Sequence, residues 1–307
     1  MPETTCRVGE IEIAYETFGD PADPALLLVM GLATQMVAWH EDFCAELAGR
    51  GFHVIRFDNR DVGRSTAMRH LPVPTLRQLA LRSRQAASYT LSDMAGDAVG
   101  LLDELGIERA HVVGASMGGM IAQTIAIEHP DRVLSLASIM SNTGARRSGQ
   151  PQLATYRVLL GRPPQERSAF IDHVLKVYKV IGSPGFDRGE EDLRRIAALS
   201  YDRGRNPAGS GRQLAAIIAS GNRTGRLSSV TAPTVVIHGT ADRLVNPSGG
   251  RATARAIPGA RLVEIEGMGH DLPRGAWPRM IEAIAGNAAR AGQSAEGERE
   301  STPSGSA

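Results

Sequence analysis

The stretch His111-Val112-Val113-Gly114-Ala115-Ser116-Met117-Gly118-Gly119-Met120 decides the fold of this chain. A short apolar run leads into Gly-x-Ser-x-Gly, and a helical pattern then continues as far as Pro130. The spacing predicts that Ser116 lies on a sharp turn between a strand and a helix, where a nucleophilic side chain is presented. Gly114 and Gly118 are small, as such a turn requires. Gly/Ser clusters also form ordinary turns, so the rest of the chain must supply what a nucleophilic serine needs.

Composition excludes several classes of protein. The chain has 307 residues, of which 42% are hydrophobic and 22% charged, as in ordinary globular proteins. Its net charge of +1 gives no reason to expect nucleic acid or an acidic membrane surface as a partner. Cys6 and Cys44 form neither a metal-binding spacing nor an evident disulfide framework, which favours a reducing compartment.

The amino terminus and the shortness of the apolar runs predict a soluble, cytoplasmic protein. The start, Met1 to Arg7, lacks the basic and apolar regions of a secretory signal. The longest apolar run, Ala25 to Met30, is far shorter than the ~20 residues that a membrane-spanning helix needs. We therefore expect no integral membrane association.

Strand and helix patterns alternate along most of the chain. Cys6 to Val8 and Ile11 to Phe18 predict two strands, joined by a turn at Gly9-Glu10. Six more strands are predicted at residues 25–30, 52–57, 110–113, 133–139, 234–237 and 262–265. Helical patterns lie between most of them, although residues 72–89 carry too weak a pattern for any assignment. This alternation predicts an α/β protein with a mostly parallel eight-stranded sheet covered on both faces.

The alternation stops after the sixth strand, and this defines the predicted domains. Between residues 141 and 227 the patterns are helical only, which indicates a helical cap, or lid, over the ends of the strands. Residues 1–140 and 228–288 form the predicted core. Residues 289–307 are rich in Gly, Ser, Glu and Ala with little to bury, so we expect a disordered tail there.

A serine hydroxyl needs a base to take its proton, and the imidazole of that base needs a carboxylate. His270 lies just past the last strand, between residues that let its loop fold back over the edge of the sheet. Asp242 follows the preceding strand, whereas the sequence Ile139 to Asn142 after the sixth strand contains no acid. We therefore predict Ser116, Asp242 and His270 as catalytic residues, although Asp242 could instead be a turn or capping residue.

A tetrahedral oxyanion needs two hydrogen-bond donors. The backbone N–H of Met117, at the start of the helix after Ser116, is one candidate. The other is the backbone N–H of Leu32, where Gly31 permits close approach after the third strand. A separate polar turn, Asp58 to Ser65, lacks the glycine spacing of nucleotide sites, so we interpret it as solvated or ion-paired. We expect no cofactor and no metal.

Five segments together resemble the α/β-hydrolase superfamily in order and spacing. They are Val29-Met30-Gly31-Leu32, Asp58 to Ser65, Gly114 to Gly119, His238-Gly239-Thr240-Ala241-Asp242 and Gly267-Met268-Gly269-His270. More narrowly, the chain resembles bacterial carboxylic-ester hydrolases of the aclacinomycin methylesterase and mycobacterial lipase/esterase type. Many relatives carry His-Gly where this chain has Met30-Gly31, which removes a polar group from the expected pocket.

Methionines cluster next to the predicted site turns. We predict that they contribute to a soft apolar substrate pocket, although methionine also fills irregular gaps in cores. The predicted pocket residues are Met30, Met36, Met120, Met140 and Met268.

The resemblance implies a cofactor-free serine hydrolase that cleaves a carboxylic ester of a small, fairly apolar molecule through an acyl-enzyme. The same triad could act on a thioester, a lactone or a carbon–carbon bond, or serve a cofactor-free perhydrolase. A hydrolase-like binding protein is a remoter alternative, since its usual sign is a broken triad. The oligomeric state is left open by the sequence.

Overall fold

The structure, a computed structural model, describes residues 3–152, 155, 163–187 and 189–300, with side chains as far as residue 292. Its centre is an eight-stranded sheet with the spatial order β1-β2-β4-β3-β5-β6-β7-β8. The strands are Thr4–Val8 (β1), Ile11–Phe18 (β2), Ala25–Val29 (β3), His53–Phe57 (β4), Ala110–Ala115 (β5), Val133–Ile139 (β6), Thr234–Gly239 (β7) and Arg261–Ile265 (β8).

Strand pairing confirms the predicted fold class. β1 and β2 form the expected antiparallel hairpin, in which Cys6 lies opposite Ile13, and β2 also pairs antiparallel with β4. All pairs from β4 through β8 are parallel. Every residue of β3, β4, β5 and β7 is buried, as expected where helices cover both faces of a parallel sheet.

Helices form a layer on each side of the sheet. The α-helices with described bounds are Glu41–Ala48 (α1), Leu76–Ala80 (α2), Leu91–Glu104 (α3), Met117–Glu128 (α4), Arg167–Ile181 (α5), Glu190–Arg203 (α6), Pro207–Ser220 (α7), Ser248–Ala256 (α8) and Trp277–Glu300 (α9). One core layer includes Leu27 of β3 with Met94 of α3 and Ile121 of α4. The other includes Leu26, on the opposite face of β3, with Phe43 of α1 and Ile281 of α9. Successive side chains of a strand point to opposite faces of the sheet, so they pack into two separate cores, one on each face.

The segment left unassigned from sequence contains short helical turns. α2 begins at a capping box in which Thr75 and Gln78 bond each other's backbone. Leu81 is its C-cap, and Arg82 then takes a positive φ of 51°. The helix is only five residues long and mostly exposed, which explains its weak apolar pattern.

In the described residues between β6 and β7, where only helical patterns occur in the sequence, the α-helices are α5, α6 and α7. Arg203 of α6 and Arg212 of α7 contact the polar turn after β4. α7 starts at Asn206, whose side chain accepts a hydrogen bond from the N–H of Gly209.

The predicted tail differs from the structure at the last helix. α9 continues without a break to Glu300, so residues 289–300 are helical rather than disordered; residues 301–307 lie outside the described part of the chain. Ala, Arg, Gln and Glu have high helix propensity, which allows a helix already anchored in the core to extend. The anchor is Asn287, which is buried and donates hydrogen bonds to the carbonyls of Leu136 and Pro233.

Within the described ranges, none of the helices has the length and apolar character that crossing a membrane would require.

Candidate active site

Ser116 lies on the turn between β5 and α4 with strained backbone angles, φ 56° and ψ −119°. A positive φ is unfavourable for a residue with a β-carbon, and such backbone strain is common at functional sites. Its N–H is held by the carbonyl of Ile139, at the end of β6. The backbone of Ser116 is therefore fixed by two adjacent strands.

The two glycines of the motif are required by close backbone contacts. A β-carbon at Gly114 would lie 2.1 Å from the carbonyl oxygen of Gly118, and one at Gly118 would lie 2.0 Å from that of Val29. Neither neighbour can move, because both are main-chain atoms. This agrees with the small residues that the sequence analysis requires on either side of the serine.

The three predicted triad side chains are in hydrogen-bond contact. Nε2 of His270 is 2.9 Å from Oγ of Ser116, and Nδ1 of His270 is 2.8 Å from Oδ2 of Asp242. A carboxylate can only accept, so Nδ1 carries the proton. Nε2 is then the unprotonated nitrogen and can accept the hydroxyl proton of Ser116.

Asp242 is buried and held by several donors. Its Oδ1 accepts hydrogen bonds from the N–H groups of Leu244 and Val245, at 2.9 and 2.8 Å. Burial alone would raise the pKa of this carboxyl, but the neighbouring His270 and His238 hold it well below its usual range. Asp242 therefore remains ionised opposite His270.

A second histidine, His238, lies behind the triad carboxylate. Its Nε2 is 3.4 Å from Oδ2 of Asp242 and donates to the carbonyl of Val245 at 2.8 Å. The side chain is fully buried at the end of β7. His238 belongs to one of the motifs that resemble the superfamily, but the sequence predicts no role for it.

The predicted oxyanion turn, residues 30–33 after β3, approaches Ser116 closely. A β-carbon at Gly31 would be only 3.1 Å from the β-carbon of Ser116, so the backbone after β3 lies against the serine. The N–H of Leu32 makes no hydrogen bond within the described residues, and that of Met117 is the first of α4. Both groups are available as donors, in the neighbourhood that the sequence predicts.

Gln213 of α7 holds the predicted oxyanion turn, and sequence reasoning missed it. Its Oε1 accepts from the N–H of Ala33 at 2.8 Å, and its Nε2 donates to the carbonyl of Arg60 at 2.8 Å. Ala33 has a positive φ of 56°, so the turn needs outside support. One glutamine among helical residues gives no signal of this role, because its partners lie far away in sequence.

The polar turn after β4 is ion-paired, as the sequence analysis favours. Asp58 pairs with Arg203 of α6 at 2.8 Å, and its Oδ1 accepts from the N–H of Met36 at 2.7 Å. Asp61 accepts two hydrogen bonds from Arg212 of α7, at 2.6 and 2.7 Å. Both arginines are buried, so these pairs attach α6 and α7 to the turn after β4.

A cavity of about 1220 Å³ is lined by Ser116 and His270 and by side chains of α5, α6 and α7. Much of its wall is apolar. Apolar residues contributed by these three helices include Leu175, Ile181, Leu193, Ile196, Leu214 and Ile217. The cavity is at or above the upper end of the roughly 300 to 1,000 Å³ typical of ligand pockets.

The predicted pocket methionines divide into two groups. Met30, Met120 and Met140 line the cavity. Met36 and Met268 do not line it, and the prediction for these two is wrong. Both are fully buried: Met36 lies in a short turn fixed by Asp58, and Met268 packs in the core below β7.

No group of His, Cys, Asp or Glu side chains with the arrangement of a metal site occurs among the residues that the structure describes.

Comparison with known proteins identifies the family and several relatives. The family model for the alpha/beta hydrolase fold matches residues 24–273. Rhodomycin D methylesterase DnrP of Streptomyces peucetius is 29% identical, over 92% of this chain and 97% of the relative. The 3-oxoadipate enol-lactonase 2 of Acinetobacter baylyi is 25% identical, over 85% of this chain and 88% of the relative.

Among solved structures, the enol-lactonase from Burkholderia xenovorans LB400 is 25% identical with a TM-score of 0.64, covering 95% of this chain and 98% of that chain. A putative lipase from Acinetobacter baumannii AYE has a higher TM-score of 0.73 at 18% identity, covering 95% and 92%, and shows the fold alone. Together with the family match over most of the chain, the sheet order and the turn at Ser116 show that this protein belongs to the α/β-hydrolase family.

Proposed function

We propose that the chain is a cofactor-free serine hydrolase that cleaves carboxylic esters through an acyl-enzyme. The two rhodomycin D methylesterases among the relatives support ester hydrolysis as the reaction class. The single observation that carries the assignment of residues is the continuous hydrogen-bond chain from Ser116 through His270 to Asp242. Its geometry is already that of a nucleophile in contact with its base.

In the acylation step, Oγ of Ser116 attacks the ester carbonyl while Nε2 of His270 takes the hydroxyl proton. Asp242 remains ionised and stabilises the imidazolium. The N–H groups of Leu32 and Met117 donate to the oxyanion of the tetrahedral intermediate. Collapse of the intermediate breaks the ester bond, and His270 passes its proton to the leaving alcohol.

Deacylation uses the same groups in the same roles. A water molecule attacks the acyl carbonyl, and His270 accepts its proton. The oxyanion forms again at the two backbone donors. His270 then returns the proton to Oγ of Ser116, which releases the acid and restores the enzyme.

The cavity supports a substrate with a large apolar acyl group and a small alcohol. Its volume of about 1220 Å³ exceeds the needs of a short-chain ester, and its apolar wall is contributed largely by the cap. The name of the methylesterase relative indicates a methyl ester, whose leaving group is small. We therefore propose a larger substrate than the small molecule expected from the sequence, with the apolar character unchanged.

The decisive experiment is Ser116→Ala with p-nitrophenyl esters as substrates. We expect kcat to fall by about 10⁴-fold or more, because the nucleophile is lost, while the circular dichroism spectrum and thermal midpoint are retained. Ser141→Ala is the matched control, since its hydroxyl is buried nearby without a hydrogen-bond partner among the described residues. Undiminished turnover by Ser116→Ala would contradict the proposal.

A lactone is a second candidate substrate, because an enol-lactonase is among the relatives. The same triad opens a lactone without releasing a separate alcohol, so acyl and alcohol portions must both remain in the cavity. Parallel assays with methyl esters, thioesters and lactones of matched acyl size would separate these activities. A higher kcat/KM for lactones than for methyl esters would favour the second candidate.

A further inference from the structure

One surface segment combines exposed apolar side chains with unpaired cations. We call residues 69–84, which include α2, the mouth segment. Exposed large hydrophobic side chains in the described part of the chain are Val73, Leu76, Leu81 and Leu262, and three of these four lie on the mouth segment. Leu76 and Leu81 are 71% and 70% exposed. Apolar exposure concentrated in one place marks a contact surface.

The charges of the mouth segment all have one sign. It contains four exposed arginines, and the sequence between Asp61 and Asp93 contains no acidic residue. None of the four side chains forms an ion pair within the described residues, although many arginines elsewhere do. They are Arg69, Arg77, Arg82 and Arg84. Because the whole chain has a net charge of only +1, the remainder is net negative and the positive charge is concentrated here.

The segment also borders the entrance to the catalytic cavity. Leu76, Leu79, Ala80 and Arg82 contribute to the cavity wall that leads to Ser116. The capping box of Thr75 and Gln78 gives α2 a defined start, so its side chains are presented from a formed helix. Any large surface bound by this segment would therefore face the cavity entrance.

We propose that the mouth segment docks the enzyme peripherally on a bilayer that contains anionic phospholipids. Leucine and valine side chains would enter the boundary between headgroups and acyl chains, while the arginines remain among the phosphates. This arrangement places the cavity entrance against the membrane, so an apolar ester dissolved in the bilayer could enter without crossing water. The binding itself does not depend on the proposed ester hydrolysis.

Charge and composition favour this partner over two others. A second copy of the chain would bring two clusters of arginine together, and like charges repel. A nucleic acid would satisfy the arginines but would leave Leu76 and Leu81 without an apolar environment, and the segment offers no Phe, Tyr or Trp on which bases could stack. Acyl chains next to phosphates satisfy both kinds of side chain.

The test is co-sedimentation of the full chain with phosphatidylcholine vesicles, with or without about 30% phosphatidylglycerol. We expect binding to the anionic vesicles that is lost when NaCl is raised from about 0.05 M to about 0.5 M. The double variant Arg77→Gln/Arg84→Gln should reduce the partition coefficient roughly fivefold per arginine, and Leu81→Ser should reduce it several-fold.

Matched controls come from the edge strand β8 and from α9. Leu262→Ser removes the exposed leucine of β8, and Arg279→Gln removes an exposed arginine of α9; neither should change vesicle binding. Arg77, Leu81 and Arg84 lie outside the cavity wall, so hydrolysis of a water-soluble ester by their variants checks that each is folded.

Three results would overturn the proposal. Equal binding to neutral and anionic vesicles would remove the role of the arginines. Equal loss of binding in the control variants would show that the mouth segment is not the contact. Absence of vesicle binding would assign the surface to another partner. Light scattering would then detect a dimer that depends on Arg77 and Arg84, and fluorescence anisotropy would detect binding of an oligonucleotide.

Discussion

Two buried carboxylate sites lie at the carboxyl edge of the same sheet, yet their partners give them different properties. Asp242, after β7, faces the imidazole of His270. Asp61, after β4, faces the guanidinium of Arg212. A guanidinium is always protonated, so the second site holds two segments together and moves no proton. An imidazole can gain and lose a proton near neutral pH, so the first site can serve a reaction.

The partner residue, more than the carboxylate, therefore decides the role of each site. Both aspartates follow buried strands, and burial opposes ionisation of both. Specific donors overcome that effect and lower the pKa of both carboxyls. The two sites can be separated by mutations that remove charge without changing shape.

Asp242→Asn should have the largest effect. We expect kcat to fall by about 10⁴-fold, because the amide no longer stabilises the imidazolium and can hold His270 in the wrong tautomer. Stopped assays with a p-nitrophenyl ester and the Ser116→Ala variant as blank would measure the loss. A decrease of less than about tenfold would mean that Asp242 is not the orienting acid.

Asp61→Asn should act on stability instead. It leaves the Arg212 charge buried without its counterion, which typically costs about 3 to 5 kcal/mol in the free energy of unfolding. Urea unfolding followed by circular dichroism measures this loss, while kcat per folded molecule should change little. Arg167→Gln, which breaks the exposed pair with Asp202, is the control and should barely move the midpoint. A selective loss of kcat in Asp61→Asn would contradict the separation of roles.

The pH dependence of stability should sharpen the same comparison. Hydrogen bonds from Arg212 and Tyr89 lower the pKa of Asp61 in the folded chain despite its burial. A lowered pKa contributes stability above the ordinary value of 3.8, and that contribution is lost as pH falls through the folded-state value. As the pH falls below 3.8, the difference in the free energy of unfolding between the wild type and Asp61→Asn should therefore narrow. The decrease is at most roughly 1.4 kcal/mol for each pH unit by which the folded-state pKa lies below the ordinary value. Urea midpoints measured across this acid range test it, and a constant difference would rule out Asp61 as the group responsible.

Gln213→Met should have the smallest effect. Gln213 bonds both Ala33, next to the proposed donor Leu32, and Arg60, next to Asp61. The substitution removes the bond that holds Ala33 beside the proposed donor Leu32. We expect kcat to fall by about tenfold with little change in KM, since the donor matters most in the transition state. Gln123→Met is the control, because Gln123 is also fully buried and bonded to Ser138 and Arg223. Equal kcat losses in both variants would indicate a general effect of core damage.

Local patterns were sufficient to predict most of the sheet and the triad candidates. Strand runs such as Val133–Ile139 are continuous in sequence, and the turns after them carry Ser116, Asp242 and His270. Because parallel strands present their carboxyl ends at one edge, residues in those turns meet in space. The contact of all three side chains follows from that rule.

Features formed by distant residues escaped prediction. Gln213 reaches Ala33 across 180 positions, and nothing near either residue signals the bond. Met36 and Met268 show the converse, since their neighbours in sequence border the site while their own side chains point into packed regions. The short α2 helix was missed because exposed apolar residues give no buried face to recognise.

The amino-acid sequence by itself determined the order of strands and helices, the strained turn of Ser116 and the identities of its predicted base and acid, because these depend on spacing along the chain. The tertiary structure alone decided which arginines attach α6 and α7 to the turn after β4, which glutamine supports the predicted oxyanion turn, and how large an apolar cavity Ser116 lines. Those properties depend on side chains brought together by packing, and a side chain's partners in space leave no mark on its neighbours in sequence.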